Sequence, residues 1–193
     1  MNILIFNGAL ERRPSSTSHS IIQFLQQTLE ENGIHSTVFN LAGSAIPLFD
    51  FTLSKTPVAV EIMTQQFREA DAHIWLTPLY HGSMTGVMKN CLDWLEISAK
   101  ESRPYLTDKM IGLISWADGG QALQGINAMD AVAKSLRAWP VPFSVPIVKP
   151  LLYDEGNPGQ ITKAYQQKLQ LLTDILISKQ ISARSLQDND VIL

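Results

Sequence analysis

AHIWLTPLYHGSMTGVMKNCLDW, residues 72–94, holds one complete strand–turn–helix unit. The first six residues, 72–77, form a short apolar run with aromatic and β-branched members, as in a strand covered on both faces. Pro78 halts that strand, and Gly82 allows the sharp turn that follows. Beyond it Met84, Val87, Met88, Cys91, Leu92 and Leu95 recur at a spacing of three to four, the period of an amphipathic helix, which is read over 84–98.

The same alternation extends in both directions. Residues 2–7 are an apolar run ending at Gly8, and a helix over 16–32 follows, with Ile21, Ile22, Leu25 and Leu29 on one face and Gly33 as its stop. A second strand is read at 35–41, a loop at 42–56 and a helix at 58–70. After the central unit come a strand at 109–116, a helix at 120–138, a proline-interrupted strand at 141–148 suited to a sheet edge, and a helix at 158–179. Five strand–helix units imply an α/β fold with a parallel sheet covered on both faces, because each parallel crossover carries a helix and winds right-handed. Residues 1–180 are read as one domain, and 181–193 as a polar, loosely held tail.

Composition narrows the function. Hydrophobic residues make up 45% and charged residues 17% of 193, as in a globular core. A net charge of −3 gives no basic footprint for nucleic acid, and no apolar run has the length of a membrane span. One cysteine, Cys91, precludes an internal disulfide, so the cytoplasm is the expected compartment. The scattered histidines 19, 35, 73 and 81 offer no metal-ligand spacing, and no metal is expected.

In open sheets of this kind ligands bind beyond the carboxyl ends of the strands, which selects the loops 8–17, 78–83 and 115–120. The first is rich in hydroxyls and opens a helix, whose unpartnered amides suit a phosphate. Ser16, Thr17 and Ser18 would add hydroxyl donors, with Arg12 or Arg13 adding charge; alternatively Ser15–Ser18 only cap the helix. The second loop carries Tyr80 and His81, which offer flat faces or hydrogen bonds to a planar ligand, or simply pack at a strand–helix junction. Cys91, mid-helix among apolar neighbours, reads as a buried inert thiol, and His73 as structural.

Residues 78–94 resemble the P-x-Y-[NH]-x-S-x-x-G-x-[LM]-K-N-x-x-D-W pattern of the NADPH-dependent FMN reductase family, with Pro78, Tyr80, His81, Ser83, Gly86, Met88, Lys89, Asn90, Asp93 and Trp94 in place. The first loop is similar to that family's phosphate loop through Gly8, Arg12 or Arg13, Ser16 and Ser18. It departs from it at Ala9, where a serine is usual, and is one or two residues longer. SWADGG at 115–120 resembles the glycine-rich third loop. The resemblance implies a flavodoxin-like doubly wound five-stranded sheet in the order 2-1-3-4-5. It implies FMN, with its phosphate at Arg12, Ser16, Thr17 and Ser18, and its ring held by Pro78, Leu79, Tyr80, His81, Gly82, Ser115, Trp116, Gly119 and Gly120. The ring edge would be met mostly by backbone groups of Leu79–Gly82. It also implies NADPH as donor, a small-molecule electron acceptor (quinone, azo compound, flavin or metal ion), and a homodimer or dimer of dimers. No catalytic acid or base is expected, because the cofactor carries the chemistry. The rival readings are a flavodoxin-type electron carrier, a reductase that uses FMN as a loosely bound substrate, and a scaffold that has lost its flavin.

Overall fold

The computed structural model describes residues 1–157 and 159–189, with the side chains of the last helix described as far as Ser178. Strands β1 (Asn2–Asn7), β2 (His35–Asn40), β3 (Ala72–Pro78), β4 (Met110–Ala117) and β5 (Trp139–Val148) alternate with helices α1 (Thr17–Glu31), α2 (Val58–Glu69), α3 (Gly86–Asp93), α4 (Ala122–Ser135) and α5 (Lys163–Asn189). The strands form one parallel sheet in the order β2-β1-β3-β4-β5, the flavodoxin-like topology.

The two faces of β1 show how the sequence builds the layers. Leu4 and Phe6 point into a core shared with Val60, Met63 and Phe67 of α2, Met88 and Cys91 of α3, and Ile126 and Met129 of α4. Ile3 and Ile5 point into the opposite core with Ile21, Leu25 and Leu29 of α1, and Leu169, Leu172 and Leu176 of α5. Four consecutive apolar residues, Ile3 to Phe6, therefore feed two helix layers, with side chains alternating between them.

Helix ends fall where the capping chemistry puts them. Gly33, at φ 68°, ends α1 by donating to Glu30 O while Ile34 donates to Leu29 O. Arg137 does the same for α4 at φ 63°, with Arg137 N bonded to Lys134 O and Ala138 N to Ala133 O. That left-handed arginine stops α4 at Ser135 rather than 138, and β5 starts at Trp139 rather than 141. The helix expected over 84–98 is α3 followed by a 3₁₀ turn, Trp94–Ser98.

The last helix differs most from the reading. Asp154 Oδ1 accepts from the amides of Gly156 and Asn157, and Tyr153 pairs with Ile161 in an isolated bridge. This turn delays α5 to Lys163; Pro158, read as helical, lies outside the described residues. The helix then continues to Asn189, through most of the stretch read as a polar tail.

Candidate functional site

The carboxyl end of β1 is organised by Asn7. Its Oδ1 accepts from Ala9 N at 3.0 Å, and its Nδ2 donates to Asn40 Oδ1 of β2 at 2.9 Å. Gly8 N donates to Leu76 O of β3 at 2.8 Å, so the first loop leaves the sheet in a fixed direction. Ser16 caps α1, its Oγ accepting from His19 N at 3.3 Å, and lies 3.2 Å from the Ser18 Oγ. Capping does not use up the helix start. The amides of its first turn lack intrahelical acceptors, and that turn holds no acidic side chain to offset its positive end.

Arg12, Arg13, Ser16, Ser18, Asn7 and Asn40 line a cleft of about 450 Å³ beside this helix start. Arg13 is ion-paired with Glu11, whereas Arg12 has no acidic partner among the described residues. Thr17 is buried and does not line the cleft.

The second loop is a two-residue turn. Tyr80 N donates to Ser83 O at 3.1 Å and Ser83 N to Tyr80 O at 3.0 Å, with His81 at φ 49° and Gly82 at φ 80°. Two consecutive left-handed residues inside a reciprocally bonded pair make a type I′ turn, which favours glycine at its second position. The Leu79 amide is spent on Trp116 O at 2.8 Å. Thus, among the described residues, the turn's amides left without a partner are those of His81 and Gly82, at its exposed tip.

Thr85 ties the first two loops together. Its hydroxyl donates to Gly8 O at 2.8 Å and, as the cap of α3, accepts from Met88 N at 3.2 Å.

From the third loop, Trp116, Ala117 and Asp118 come to the same place, and Lys149 reaches it from the end of β5. Ser115 does not: it is fully buried beneath α4, its Oγ without a partner, where a Cβ on Gly125 would lie 2.3 Å from it. Gly119 and Gly120 lie in the lead-in to α4, off the cleft wall.

The three loops enclose a cleft of about 570 Å³. Ala9, Leu10 and Glu11 line it from the first loop, Pro78, Leu79 and Tyr80 from the second, Thr85, Gly86 and Val87 from the start of α3, and Trp116, Ala117, Asp118 and Lys149 from beyond β4 and β5. Glu11 lines both clefts, so the two adjoin across the first loop. The rings of Tyr80 and Trp116 in one and guanidinium and hydroxyl groups in the other suit a ligand with a planar end and an anionic end.

Asn7, Thr85, Asp118 and Lys149 escaped the sequence reading. Asn7 and Thr85 act on backbone atoms of distant segments, and Lys149 comes from a strand end with no local pattern. The remaining pattern residues of α3 have a structural explanation. Lys89 and Asp93 form an ion pair, while Asn90 Nδ2 and Trp94 Nε1 both donate to Pro47 O at 2.8 Å. Asn90 Oδ1 accepts from Phe49 N at 2.8 Å, so this half of the pattern clamps the 42–57 segment against α3.

Two buried titratable groups stand outside the clefts. His73 is held to a pKa of about 3, first by burial and then by nearby Lys109, against the pull of its bond to Phe67 O. Its Nε2 donates to that carbonyl at 2.9 Å, and its Nδ1 accepts from Trp75 Nε1 at 3.5 Å. Burial pushes the Cys91 thiol up to about 12, which keeps it protonated and unreactive. No group of three or more metal-ligating side chains occurs among the described residues, and no described helix is long and apolar enough to cross a membrane.

A parallel 2-1-3-4-5 sheet with a cleft across the loops after β1, β3 and β4 defines a flavodoxin-like fold with a nucleotide-type site. The family described as NADPH-dependent FMN reductase matches residues 1–149, and the chain belongs to it. It is 26% identical over 176 residues to the NADPH-dependent FMN reductase ArsH of Acidithiobacillus ferrooxidans, covering 90% of this chain and 71% of that protein. It is 27% identical over 137 residues to an FMN-dependent NADPH-azoreductase of Staphylococcus aureus, covering 68% of this chain and 69% of that one. In fold it is similar to an oxidoreductase of Corynebacterium diphtheriae, with a TM-score of 0.73 at 20% identity over 94% of this chain and 98% of the other. The chain is thus an oxidoreductase of the NADPH-dependent FMN reductase type, with FMN as cofactor and NADPH as donor.

The residues present fit FMN. The first turn of α1 supplies unopposed amides beside Arg12, Ser16 and Ser18. The larger cleft is walled in part by the rings of Tyr80 and Trp116, and a Cβ built on Gly86 in its wall meets nothing within 4 Å.

Proposed function

We propose that the 570 Å³ cleft holds the isoalloxazine ring and that the first loop holds the phosphate of FMN, in an enzyme that passes two electrons from NADPH to a small planar acceptor such as a quinone or an azo compound. The observation that carries this reading is the pair of adjoining clefts, one walled in part by Pro78, Leu79, Tyr80 and Trp116, the other lined by Arg12, Ser16 and Ser18. Bound FMN would accept a hydride equivalent and pass it on; the chain's own work is to bind and orient.

Pro78, Leu79, Tyr80 and Trp116 would wall the ring. Trp116 is buried and fixed by its strand, whereas Tyr80 is 62% exposed and stands at the mouth, where donor or acceptor would stack. The amides of His81 and Gly82 are the turn's free donors, but both residues stand at its exposed tip and do not line the cleft. Among the charged and phenolic side chains of the wall, Glu11, Tyr80, Asp118 and Lys149, none is needed to transfer a proton to the cofactor. One face open at the mouth implies that donor and acceptor bind in turn. Glu11, ion-paired with Arg13, stands at the junction of the clefts, and the paired Asn7 and Asn40 fix the loop that carries it.

We read the enzyme as a homodimer. The apolar stripe of α3 is mostly buried in its own chain, with Val87 as the exposed member at 37%. The apolar surface instead comes from the clamped 42–57 segment, where Leu48 and Phe51 are 85% and 81% exposed. Such side chains favour a covering partner. A cytoplasmic location accords with a single free thiol.

The test is a visible spectrum of the purified protein followed by NADPH and NADH oxidation with a panel of quinones, azo dyes, free flavin and ferric ion. Flavin absorbance with NADPH-dependent turnover is the expected result. A flavin reduced by dithionite but by neither nucleotide identifies an electron carrier instead. Turnover that needs added FMN, without copurified flavin, identifies FMN as a substrate.

A further inference from the structure

We propose that Lys149 is the cation that makes the flavin ring easier to reduce. The inference rests on the reading that the larger cleft holds that ring. Lys149 begins a short 3₁₀ turn, Lys149–Leu151, directly after β5, which delivers it to the cleft wall beside Trp116, Ala117 and Asp118. It is the only basic side chain among the described residues of that wall, where Glu11 and Asp118 are the acidic ones. The two arginines of the first loop line the other cleft. Asp118 does not hold the lysine firmly: its Oδ1 is 4.0 Å from Lys149 Nζ, and its side chain is 91% exposed. Pairs so exposed interact weakly.

The charge balance of the reaction gives the lysine its role. On reduction, a C–H bond of the nicotinamide breaks with its electron pair, a new N–H bond forms on the ring, and NADPH leaves as NADP⁺. The ring system gains two electrons and one proton, hence one net negative charge. Transfer of the same pair together with the proton, as a hydride equivalent, to the acceptor would restore neutrality. A cation in the wall favours only the charged member of this cycle, so it acts on the difference between the two states rather than on binding in general. Asp118 acts in the opposite sense, while the charge of Glu11 is offset by its ion pair with Arg13. At 51% exposure the lysine works through solvent-screened dielectric, and its effect is modest.

The test compares FMN-loaded wild type with Lys149→Gln, Lys149→Arg and Asp118→Asn, by dye-equilibrated reductive titration and by the dissociation constant of oxidised FMN. In Lys149→Gln, binding of reduced over oxidised FMN should fall about tenfold, which for a two-electron couple is a midpoint lowered by about 30 mV. The affinity for oxidised FMN should stay within about twofold. Lys149→Arg should keep the wild-type potential, and Asp118→Asn should raise it. An unchanged potential in a Lys149→Gln protein that holds FMN overturns the proposal. Gly86→Leu separates this failure from that of the underlying reading, because the new side chain would project from the cleft wall into open space. If Gly86→Leu binds FMN like wild type, the ring lies elsewhere and both ideas fall. If Gly86→Leu loses FMN while Lys149→Gln keeps its potential, only the role of Lys149 is lost.

Discussion

The hydroxyl of Thr85 donates to the carbonyl of Gly8 across 77 residues of sequence, at 2.8 Å, and the same oxygen caps α3. One buried side chain thereby sets the distance between the loop assigned to the phosphate and the loop assigned to the ring. Thr85→Ala removes a cap, worth about 1 kcal/mol, and leaves a buried carbonyl unpaired at a cost of about 1–3 kcal/mol. Thermal and urea unfolding should show a loss of about 2–4 kcal/mol, with weaker FMN binding. Thr85→Ser keeps both bonds and should stay near wild type in both measurements. Equal stability of the alanine and serine variants would refute the bridge.

Gly82 sits at φ 80° in the type I′ turn, and a Cβ there would lie 3.1 Å from Gln124 Oε1. Valine combines that strain with a β-branched side chain, whereas asparagine tolerates the left-handed region. Gly82→Val should therefore lose flavin, read as absorbance after purification, while Gly82→Asn should keep most of it. Full flavin content in Gly82→Val would show that the ring does not depend on this turn.

The topology was legible because β1 and β3 are apolar runs ended by Gly8 and Pro78, β4 is a third apolar run, and the helices between them carry three-to-four stripes. The end of α1 was legible for the same kind of reason: Gly33 marks the left-handed position. The end of α4 was not, since Arg137 adopts that conformation without any sign in the sequence. The same limit applies to the site. Tyr80 and Trp116 stand in local patterns and both reach the cleft. Ser115 stands in a pattern too, but its position along β4 turns it under Gly125 of α4. Lys149 enters from a separate strand end, and no spacing rule links it to the other loops.

Ser16 and Ser18 line the smaller cleft with Arg12, so their hydroxyls should be felt by a phosphate and not by a bare ribityl chain. Replacing both serines by alanine should weaken FMN by about 1–3 kcal/mol, the range for charge-assisted bonds. Riboflavin affinity, measured in parallel by fluorescence quenching, should change little. The ratio of the two affinities separates phosphate contact from the loss of the α1 cap, which affects both ligands alike. An unchanged ratio would remove the phosphate from this loop.

His73 links stability to acid. Its folded pKa of about 3 lies below the usual 6.5, so between those values the unfolded chain binds a proton that the folded chain does not. Stability should be fully present above about pH 6.5 and fall as the pH drops toward 3, at up to about 1.4 kcal/mol per pH unit from this group. Urea unfolding at pH 7, 6, 5 and 4 measures the slope, and His73→Gln should flatten it even if the variant starts less stable. A slope identical in both proteins would assign the acid sensitivity to other groups.

Cys91 tests whether electrons pass through cofactor alone. The thiol is buried on α3, its pKa is pushed up to about 12, and it lines neither cleft. At neutral pH it presents no thiolate, so it offers neither a nucleophile nor a redox partner. Cys91→Ala removes one buried sulfur and should cost stability through packing, by about 1 kcal/mol. Turnover of flavin-loaded protein with NADPH and a quinone should remain within about twofold of wild type, since chemistry carried by the cofactor needs no protein nucleophile. Initial-rate plots against both substrates should give the parallel lines of alternating binding in both proteins. A Cys91→Ala enzyme that keeps its flavin spectrum but loses NADPH turnover would mean that the thiol takes part, and direct transfer between nicotinamide and ring would have to be abandoned.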